Sequence, residues 1–399
     1  MAFLFDINSY TSFIGLKNPI AKSELANFFE LTLAYIDQSI AANKREDNLF
    51  HAYNLVSFND NTVEIRHLYE MLEGQVAVLT SGVLSANEVV QLLDALRSSS
   101  LYRADQNSYI LYPNKRLPSF LEKNNINSDD VKRINLLSEL VAKGDKRIIT
   151  TDKKGGFHFN ASFNNANFLR ETLLKLKKEG SFEVKDTDIQ AIENVYEQIF
   201  DHQSFTGRSG TFYKYEGLGC IYWHMVSKLL LAIGENISWA TEIQEDKSII
   251  NALKKHYNDV KAGIGAHKSP AEYGSFPFDP YSHTPTMAGV QQPGMTGQVK
   301  EDVISRFFEL GIVVRNGCIE IHPENINFEE FISTPGEIPY LSFTYCSVPF
   351  IYKIVGKKGF EIVYVDKTSV HSDCYQFSES QSADIFKRNA DILKIEVHF

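Results

Sequence analysis

The chain has 399 residues, of which 43% are hydrophobic and 23% are charged, and its formal net charge is −10. This balance is typical of a soluble globular protein that is large enough for two or three domains. The negative charge argues against nucleic acid or an anionic membrane as a partner of the surface as a whole.

The N-terminus and the cysteines favour a cytoplasmic protein. The first residues carry Asp6 and lack a basic segment followed by an apolar one, so no signal peptide is predicted. No apolar run reaches about 18 residues, so no transmembrane helix is predicted. The four cysteines lack zinc-binding spacing and are interpreted as free thiols; they are Cys220, Cys318, Cys346 and Cys374.

Up to about Leu310, apolar residues recur with helical spacing. The first predicted helix, Ala21–Ala42, places six apolar side chains from Leu25 to Ile40 on one face. Ser85 followed by Glu88 is a capping box that predicts a helix start. Further helices are predicted at Arg66–Thr80, Ser85–Ser98, Ser128–Lys143, Asn164–Lys178, Lys185–Phe200, Ile221–Gly234, Lys247–Gly263 and Gln298–Gly311.

The pattern changes after Leu310. Apolar and polar residues then alternate, and Asn316–Gly317 is a strong hairpin signal. We therefore predict a helical domain over residues 1–310 and a β-rich domain over residues 311–399. Helices in antiparallel pairs, joined by long aromatic loops such as Tyr102–Leu117 and His202–Gly219, predict a helical toroid with its ligand site where loops and helix ends meet.

Three segments carry candidate ligand-binding residues. His224 begins a predicted helix but lies off its apolar stripe, so it is available to a ligand or acts as a capping residue. Thr296 and Gly297 open another helix, whose free N–H groups would bind an anion unless Thr296 is a simple N-cap. The third segment is a proline-stiffened loop with the polar residues Asp279, Tyr281 and His283.

Two carboxylates are candidates for acid–base chemistry. Asp47 follows the first helix, and Asp105 lies beside Arg103 in an aromatic loop. Either would serve as a general acid if burial raised its pKa, and the alternative for each is a structural ion pair. The chain has no Gly-x-Gly-x-x-Gly, no Gly-Lys-Ser/Thr and no His-Glu-x-x-His, which excludes the nucleotide-binding loops and zinc peptidase chemistry of those motifs.

The segments EGLGCIYWH (216–224), MTGQVKEDVISRFFELGI (295–312) and the passage that follows to Phe331 resemble the inverting glycoside phosphorylases of the cellobiose and chitobiose phosphorylase type. The resemblance implies an (α/α)6-barrel-like toroid followed by a small C-terminal β-sandwich domain. It implies that His224, Thr296 and Gly297 bind phosphate. It assigns the general acid to Asp47 by order along the chain, since the family's Asp-Trp-Asn-Asp motif is absent.

The expected reaction is cleavage of a β-linked oligosaccharide by inverting attack of phosphate. Inorganic phosphate is then a co-substrate, and no metal or other cofactor is expected. The residues expected to bind the substrate are Asp105, Arg208, Glu216, Asp279, Tyr281, His283 and Gln298.

Two alternatives to this function are an inverting hydrolase that uses water, with Asp105 or Glu216 as the base, and a non-catalytic carbohydrate-binding or scaffold half of a larger or split protein. Fewer helices are predicted than the twelve of six hairpins, so we expect an incomplete ring. An N-terminal region, a partner chain or a homodimer would then cover an exposed apolar groove.

Overall fold

The computed structural model of the chain describes residues 20–59, 62–113, 119–200, 221–264, 283–284 and 296–399, with the backbone alone at 59, 283–284 and 296–299. The helices are α1 (Lys22–Ala42), α2 (Leu72–Thr80), α3 (Ala86–Ser98), α4 (Phe120–Lys123), α5 (Ser128–Arg133), α6 (Asn135–Lys143), α7 (Ala166–Glu179), α8 (Asp186–Phe200), α9 (Trp223–Glu242), α10 (Lys247–Ala262), α11 (Thr296–Glu309) and α12 (Glu379–Phe386).

The strands of the described residues form five two-stranded hairpins or ribbons and one five-stranded sheet. They are β1 (Leu55–Asn59), β2 (Thr62–Arg66), β3 (Tyr102–Arg103), β4 (Ser108–Tyr109), β5 (Ile149–Thr151), β6 (Phe157–Phe159), β7 (Ile221–Tyr222), β8 (His283–Thr284), β9 (Ile312–Arg315), β10 (Cys318–Ile321), β11 (Tyr340–Tyr345), β12 (Val348–Lys353), β13 (Gly359–Tyr364), β14 (Ser369–Ser372) and β15 (Ile392–His398).

Most helix starts have a local cause in the sequence. The predicted capping box of α3 is present, because the Ser85 hydroxyl accepts from the Glu88 N–H and the Glu88 carboxylate accepts from the Ser85 N–H. One predicted helix, Ser128–Lys143, is instead two helices that meet at Ile134, whose backbone is extended. Another, Arg66–Thr80, begins only at Leu72, because Arg66 still pairs with Leu55 in the β1–β2 hairpin.

The first hydrophobic core is built from α2, α3, α9 and α10. α2 and α9 pack side by side, and so do α3 and α10, with α9 and α10 joined as an antiparallel hairpin. The side-chain amide of Asn236 in α9 donates to the Leu79 carbonyl near the end of α2 at 2.9 Å. His256 of α10 lies 3.1 Å from Asp94 of α3. The four helices thus form two rows, one of α2 and α9 and the other of α3 and α10.

α11 extends the row of α2 and α9 on the other side of α9. Its contacts follow α9 in the same direction: His224 lies near Glu301, Ser227 bonds Asp302, and Gly234 lies against Phe308. α9 and α11 are therefore parallel, and both begin at the same end. This arrangement is what neighbouring inner helices of a toroid require, while closure into a ring remains a prediction.

Residues 126–200 have a hydrophobic core of their own. It contains the apolar faces of α5 to α8 and the β5–β6 hairpin, with the Phe159 ring edge-on to Tyr196 at 5.2 Å. The predicted helical domain of residues 1–310 therefore contains two separate cores, a division that helical periodicity alone did not reveal.

The third core belongs to the C-terminal region. Its sheet has the strand order β11-β12-β15-β13-β14, in which β12 and β15 are parallel and the other pairs are antiparallel. The β9–β10 hairpin and α12 contribute apolar side chains to the same core. Its attachment to α11 includes the buried Tyr352 hydroxyl, which donates to the Leu310 carbonyl at 2.8 Å. The described C-terminal region is thus one mixed sheet that shares its core with the β9–β10 hairpin and α12. The predicted β-sandwich stays a prediction.

α1 is the exception to this packing, because none of its residues is buried. It is nevertheless rich in large apolar side chains that are between 43% and 63% exposed: Leu25, Phe28, Phe29, Leu31, Leu33, Tyr35 and Ile36. The neighbouring β1–β2 hairpin also exposes Val56, Phe58, Val63 and Ile65. A helix that is apolar over much of its surface is usually buried, so the exposure of these side chains is unusual.

A mostly buried carboxylate of the C-terminal sheet, Glu396, provides a pH prediction. Glu396 accepts from Lys353 at 2.6 Å and from Lys394 at 2.5 Å. Burial by itself would raise the pKa of Glu396, but the two lysines outweigh it and lower the pKa from 4.5 to about 2. Since the folded-state pKa is the lower one, the resulting stability is present above about pH 4.5 and is lost as the pH falls toward 2.

We therefore expect Glu396→Gln to remove a contribution of about 2 kcal/mol at pH 7 and to remove much less at pH 2.5. Urea unfolding at the two pH values measures the difference. Glu337→Gln, in an exposed loop, is the control. An equal loss of stability at both pH values would contradict the prediction.

Within the described residues, no helix has the length and apolar character needed to cross a membrane. The same part of the chain contains no group of three or more His, Cys, Asp and Glu side chains that could hold a metal ion.

Candidate functional site

The candidate site lies where α9 begins. The two residues before this helix form β7, and they pair with β8 so that Tyr222 is opposite His283 and Ile221 is opposite Thr284. The chain turns into α9 at Trp223, a fully buried side chain that anchors the helix start in the first core. The structure thus brings the backbone of His283, a predicted sugar-binding residue, beside the segment that carries His224.

His224 is held between two polar neighbours. Its Nε2 lies 3.4 Å from Oε2 of Glu301 in α11, and its Nδ1 lies 3.3 Å from the Tyr222 hydroxyl. The Tyr222 ring meets the imidazole edge-on, with the ring centroids 5.7 Å apart. The His224 side chain is 19% exposed and that of Glu301 is 4% exposed. The imidazole therefore has a polar neighbour at each of its two nitrogens.

The start of α11 lies at the same end. Gly297 precedes Glu301 by four residues, which is about one turn or about 6 Å along the helix axis. Thr296, Gly297 and Gln298 belong to the first turn, whose N–H groups have no partner within the helix. The N-terminus of α9 is adjacent, so two positive helix ends face the same region. This is an environment that favours an anion.

The predicted convergence of His224 with the N–H groups of Thr296 and Gly297, within about 5 to 7 Å by hydrogen-bond reach, stays a prediction. What the structure adds is the contact one turn further on, between His224 and Glu301.

A second carboxylate of α11 has a perturbed pKa. Asp302 accepts from the Ser227 hydroxyl of α9 at 2.8 Å. Burial raises the pKa of Asp302, and the charges of Glu301 and Glu309 raise it further against the opposing effect of the Ser227 hydrogen bond. The α9–α11 interface near the site therefore favours the neutral form of this carboxyl.

Asp47 has the opposite environment. Arg45 contacts both of its oxygens, at 2.8 and 3.0 Å, and the Asp47 side chain is 49% exposed. The hydrogen bond from Arg45 lowers the pKa of Asp47, in spite of partial burial. The alternative of a structural ion pair therefore describes Asp47 in this structure, since a general acid must hold its proton near neutral pH.

The segment after Asp47 is anchored by a buried glutamine. Gln75 of α2 donates to the Phe50 carbonyl and accepts from the Phe50 N–H, both at 2.9 Å. His51 follows, stacked on His67 with ring centroids 4.1 Å apart. Burial and the nearby His67 charge lower the pKa of His51. This polar cluster lies beside the start of α2.

Asp105 also forms a local ion pair, with Oδ1 2.9 Å from Nε of Arg103. It lies in a short 3-10 helix between β3 and β4, and β4 contacts β7 at the start of α9. This loop meets the end of α10, where a Cβ on Gly263 would come within 2.0 Å of the Asn107 carbonyl oxygen. A Cβ at position 263 would collide with this loop, so glycine is needed there. The loop with Asp105 is thereby able to approach the end of the helices at which α9 begins.

The structure describes the side chains of only some of the predicted site residues. Arg208, Glu216, Asp279 and Tyr281 lie outside the described residues, and His283, Thr296, Gly297 and Gln298 are described by their backbone alone. Sequence reasoning missed Glu301 and Tyr222. An acidic residue on the buried side of an amphipathic helix, five positions after Thr296, was the available signal for Glu301.

Comparison with known protein families provides independent information. Residues 117–203 match the family model of the GH149 phosphorylase insertion domain 2. This match supports a glycoside phosphorylase family. The matching model describes a GH149 domain, so the match does not support the cellobiose and chitobiose phosphorylase type specifically. A search of curated proteins found no match.

The matched segment coincides with the unit that has its own hydrophobic core over residues 126–200. The match therefore explains why the helices of this segment do not join the core of α2, α3, α9 and α10. A segment with its own core folds on its own apolar residues, so the helices before and after it are able to pack together.

Proposed function

We propose that this chain belongs to the catalytic part of an inverting glycoside phosphorylase that acts on a β-linked oligosaccharide. The observation that carries the proposal is the common end of α9 and α11, where His224 lies one turn from the start of α11. The match of residues 117–203 supports the phosphorylase class independently of this geometry.

In the proposed reaction, inorganic phosphate attacks the anomeric carbon while an acid protonates the glycosidic oxygen. The C–O bond to the leaving sugar breaks, and a sugar 1-phosphate of inverted configuration forms. Phosphate is itself the nucleophile, so one carboxylic acid is enough, in contrast to the two of an inverting hydrolase. His224 and the N–H groups of Thr296 and Gly297 would hold the phosphate oxygens.

The general acid proposed for this mechanism is Asp47, which must hold the proton that it gives to the glycosidic oxygen. Asp47 would serve only if substrate binding displaced Arg45, because that ion pair favours the ionised carboxylate. The oligosaccharide would lie along the same end of the helices, with the proposed contacts at Asp105, Arg208, Glu216, Asp279, Tyr281, His283 and Gln298.

A second candidate function is favoured by α1. Its exposed apolar side chains indicate that this chain works with a further region, a partner chain or a second copy. The chain would then be a carbohydrate-binding or scaffold half that is inactive, or only weakly active, by itself.

One assay separates these functions. The chain is incubated with β-linked oligosaccharides, with and without inorganic phosphate, and both sugar 1-phosphate and free sugar are measured. A phosphorylase forms sugar 1-phosphate of α configuration only when phosphate is present. A hydrolase releases free sugar at the same rate without phosphate, which would refute the proposed function. Binding without either product would support the non-catalytic alternative.

A further inference from the structure

The contact between His224 and Glu301 has an unusual feature. Glu301 is 3% exposed, and a buried carboxylate is unfavourable unless it is paired and hydrogen-bonded. Its Oε1 lies 3.4 Å from Nζ of Lys300, a side chain that is 66% exposed. Its Oε2 and the Nε2 of His224 are both buried, and neither makes a well-formed hydrogen bond with any described atom.

These two atoms face each other at 3.4 Å, which is an ion-pair distance but longer than a good hydrogen bond. Contacts of catalytic groups are often long before the ligand binds and shorten afterwards. A small rotation of the imidazole would bring Nε2 of His224 within good hydrogen-bond distance of Oε2 of Glu301. The pair is thus placed to orient His224 at the end where α9 and α11 begin.

We propose that Glu301 is a positioning residue, which holds the N–H of His224 at Nε2 and thereby directs Nδ1 to the phosphate. This inference rests on the proposed function, because it names the residue that prepares His224 for its anion. The Nδ1 atom faces the Tyr222 hydroxyl, and Tyr222 belongs to the strand that precedes α9. Nδ1 is thus the ring nitrogen that does not face Glu301, on a residue that stands in the first turn of α9.

Charge supports the same assignment. A carboxylate at this place without a partner would repel phosphate, whereas one that accepts a hydrogen bond from the imidazole has part of its charge offset. Among the described residues, two further charged groups are adjacent to Glu301: Lys300, next to Oε1, and Asp302, which is bonded to Ser227. Neither Lys300 nor Asp302 forms an ion pair or hydrogen bond with Nε2 of His224 in the described part of the chain, so the orienting role falls to Glu301.

The first test is Glu301→Gln in the full chain. This change keeps the size of the side chain but removes its charge, and the amide is able to present a donor to Nε2. We expect the KM for phosphate to rise by about 10 to 100 fold, with a smaller change in the KM for the oligosaccharide, as is usual when an orienting partner is lost.

A double-mutant cycle separates positioning from general destabilisation. If Glu301 acts through His224, Glu301→Gln has no further effect on the KM for phosphate when His224 is already Asn. If the two effects on this KM multiply, the proposal is overturned.

The matched control is Glu309→Gln on the same helix. Glu309 is paired with Lys261 and Arg306, both at 2.8 Å, and lies about two turns beyond Glu301. This variant should unfold more easily while its KM for phosphate stays unchanged. An equal rise of KM in both variants would contradict a specific role of Glu301.

A readout that does not depend on activity is the ¹⁵N chemical shift of the His224 ring, assigned by comparison with His224→Asn. We expect a protonated Nε2 in the unmodified chain, and a change of tautomer or charge state in Glu301→Gln. If the chain shows no phosphorolysis but this change occurs, the proposed function fails and the orienting contact stands. If the His224 signals are identical in both proteins, the positioning role is refuted.

Discussion

The His224→Ala variant is expected to lose phosphorolysis by a factor of about 100 to 1000, the usual cost of removing one preorganised group that stabilises charge in a reacting complex. Two effects act in the same direction. The phosphate loses its contact with the imidazole, and the buried Glu301 carboxylate loses the polar neighbour that lies 3.4 Å away, so this carboxylate opposes the anion.

Initial rates at varied phosphate concentration measure this loss, and circular dichroism checks that the fold is kept. His371→Ala is the matched control, because His371 is an exposed histidine of β14 that pairs with Asp373 at 2.8 Å, in the C-terminal region. The control should retain the rate of the unmodified chain. Full activity of His224→Ala would remove the phosphate site from this end of α9.

A second large effect is expected for the surface of α1. Its seven exposed apolar side chains include three aromatic ones with areas of about 150 to 250 Å² each. All seven are about half exposed, so together they present on the order of 700 Å². This exceeds the largest apolar patch of most monomeric proteins, about 300 to 600 Å². The isolated chain should therefore self-associate as its concentration rises, because association removes this area from water.

Phe28→Lys combined with Leu33→Lys should shift the mass measured by light scattering toward that of a monomer. Both side chains are about 60% exposed, so little packing within the chain is lost. Gln38→Lys, at an exposed polar position of the same helix, is the control for added charge and should leave association unchanged. A chain that is monomeric at every concentration would contradict the role of α1 as an interface.

The local signals in the sequence predicted much of the secondary structure. The helix Ala21–Ala42 was predicted almost to the residue, since α1 covers Lys22–Ala42. Asn316 and Gly317 take up the positive φ angles of 48° and 79° that a tight hairpin requires, and they join β9 to β10. These features depend on neighbouring residues, so a single sequence carries them.

The short hairpins were harder to predict. The β1–β2 hairpin was missed although Val56, Phe58, Val63 and Ile65 alternate with polar residues. The reason is that five-residue strands offer few periods, and helical spacing fitted the residues after Arg66 equally well. The separate core of residues 126–200 was also missed, because amphipathic helices look the same whichever core they cover.

At the candidate site, too, the sequence predicted features that depend on neighbouring residues but missed contacts between residues far apart in the chain. The sequence by itself determined that His224 and the Thr296–Gly297 pair stand at helix starts, because the apolar stripes of α9 and α11 begin there. Only the tertiary structure decided that Glu301 lies against His224 and that Arg45 holds Asp47 in its ionised form. Helix starts follow from the local pattern of residues. The partner of a charged group follows from which surfaces pack together, and 77 positions separate His224 from Glu301 along the chain.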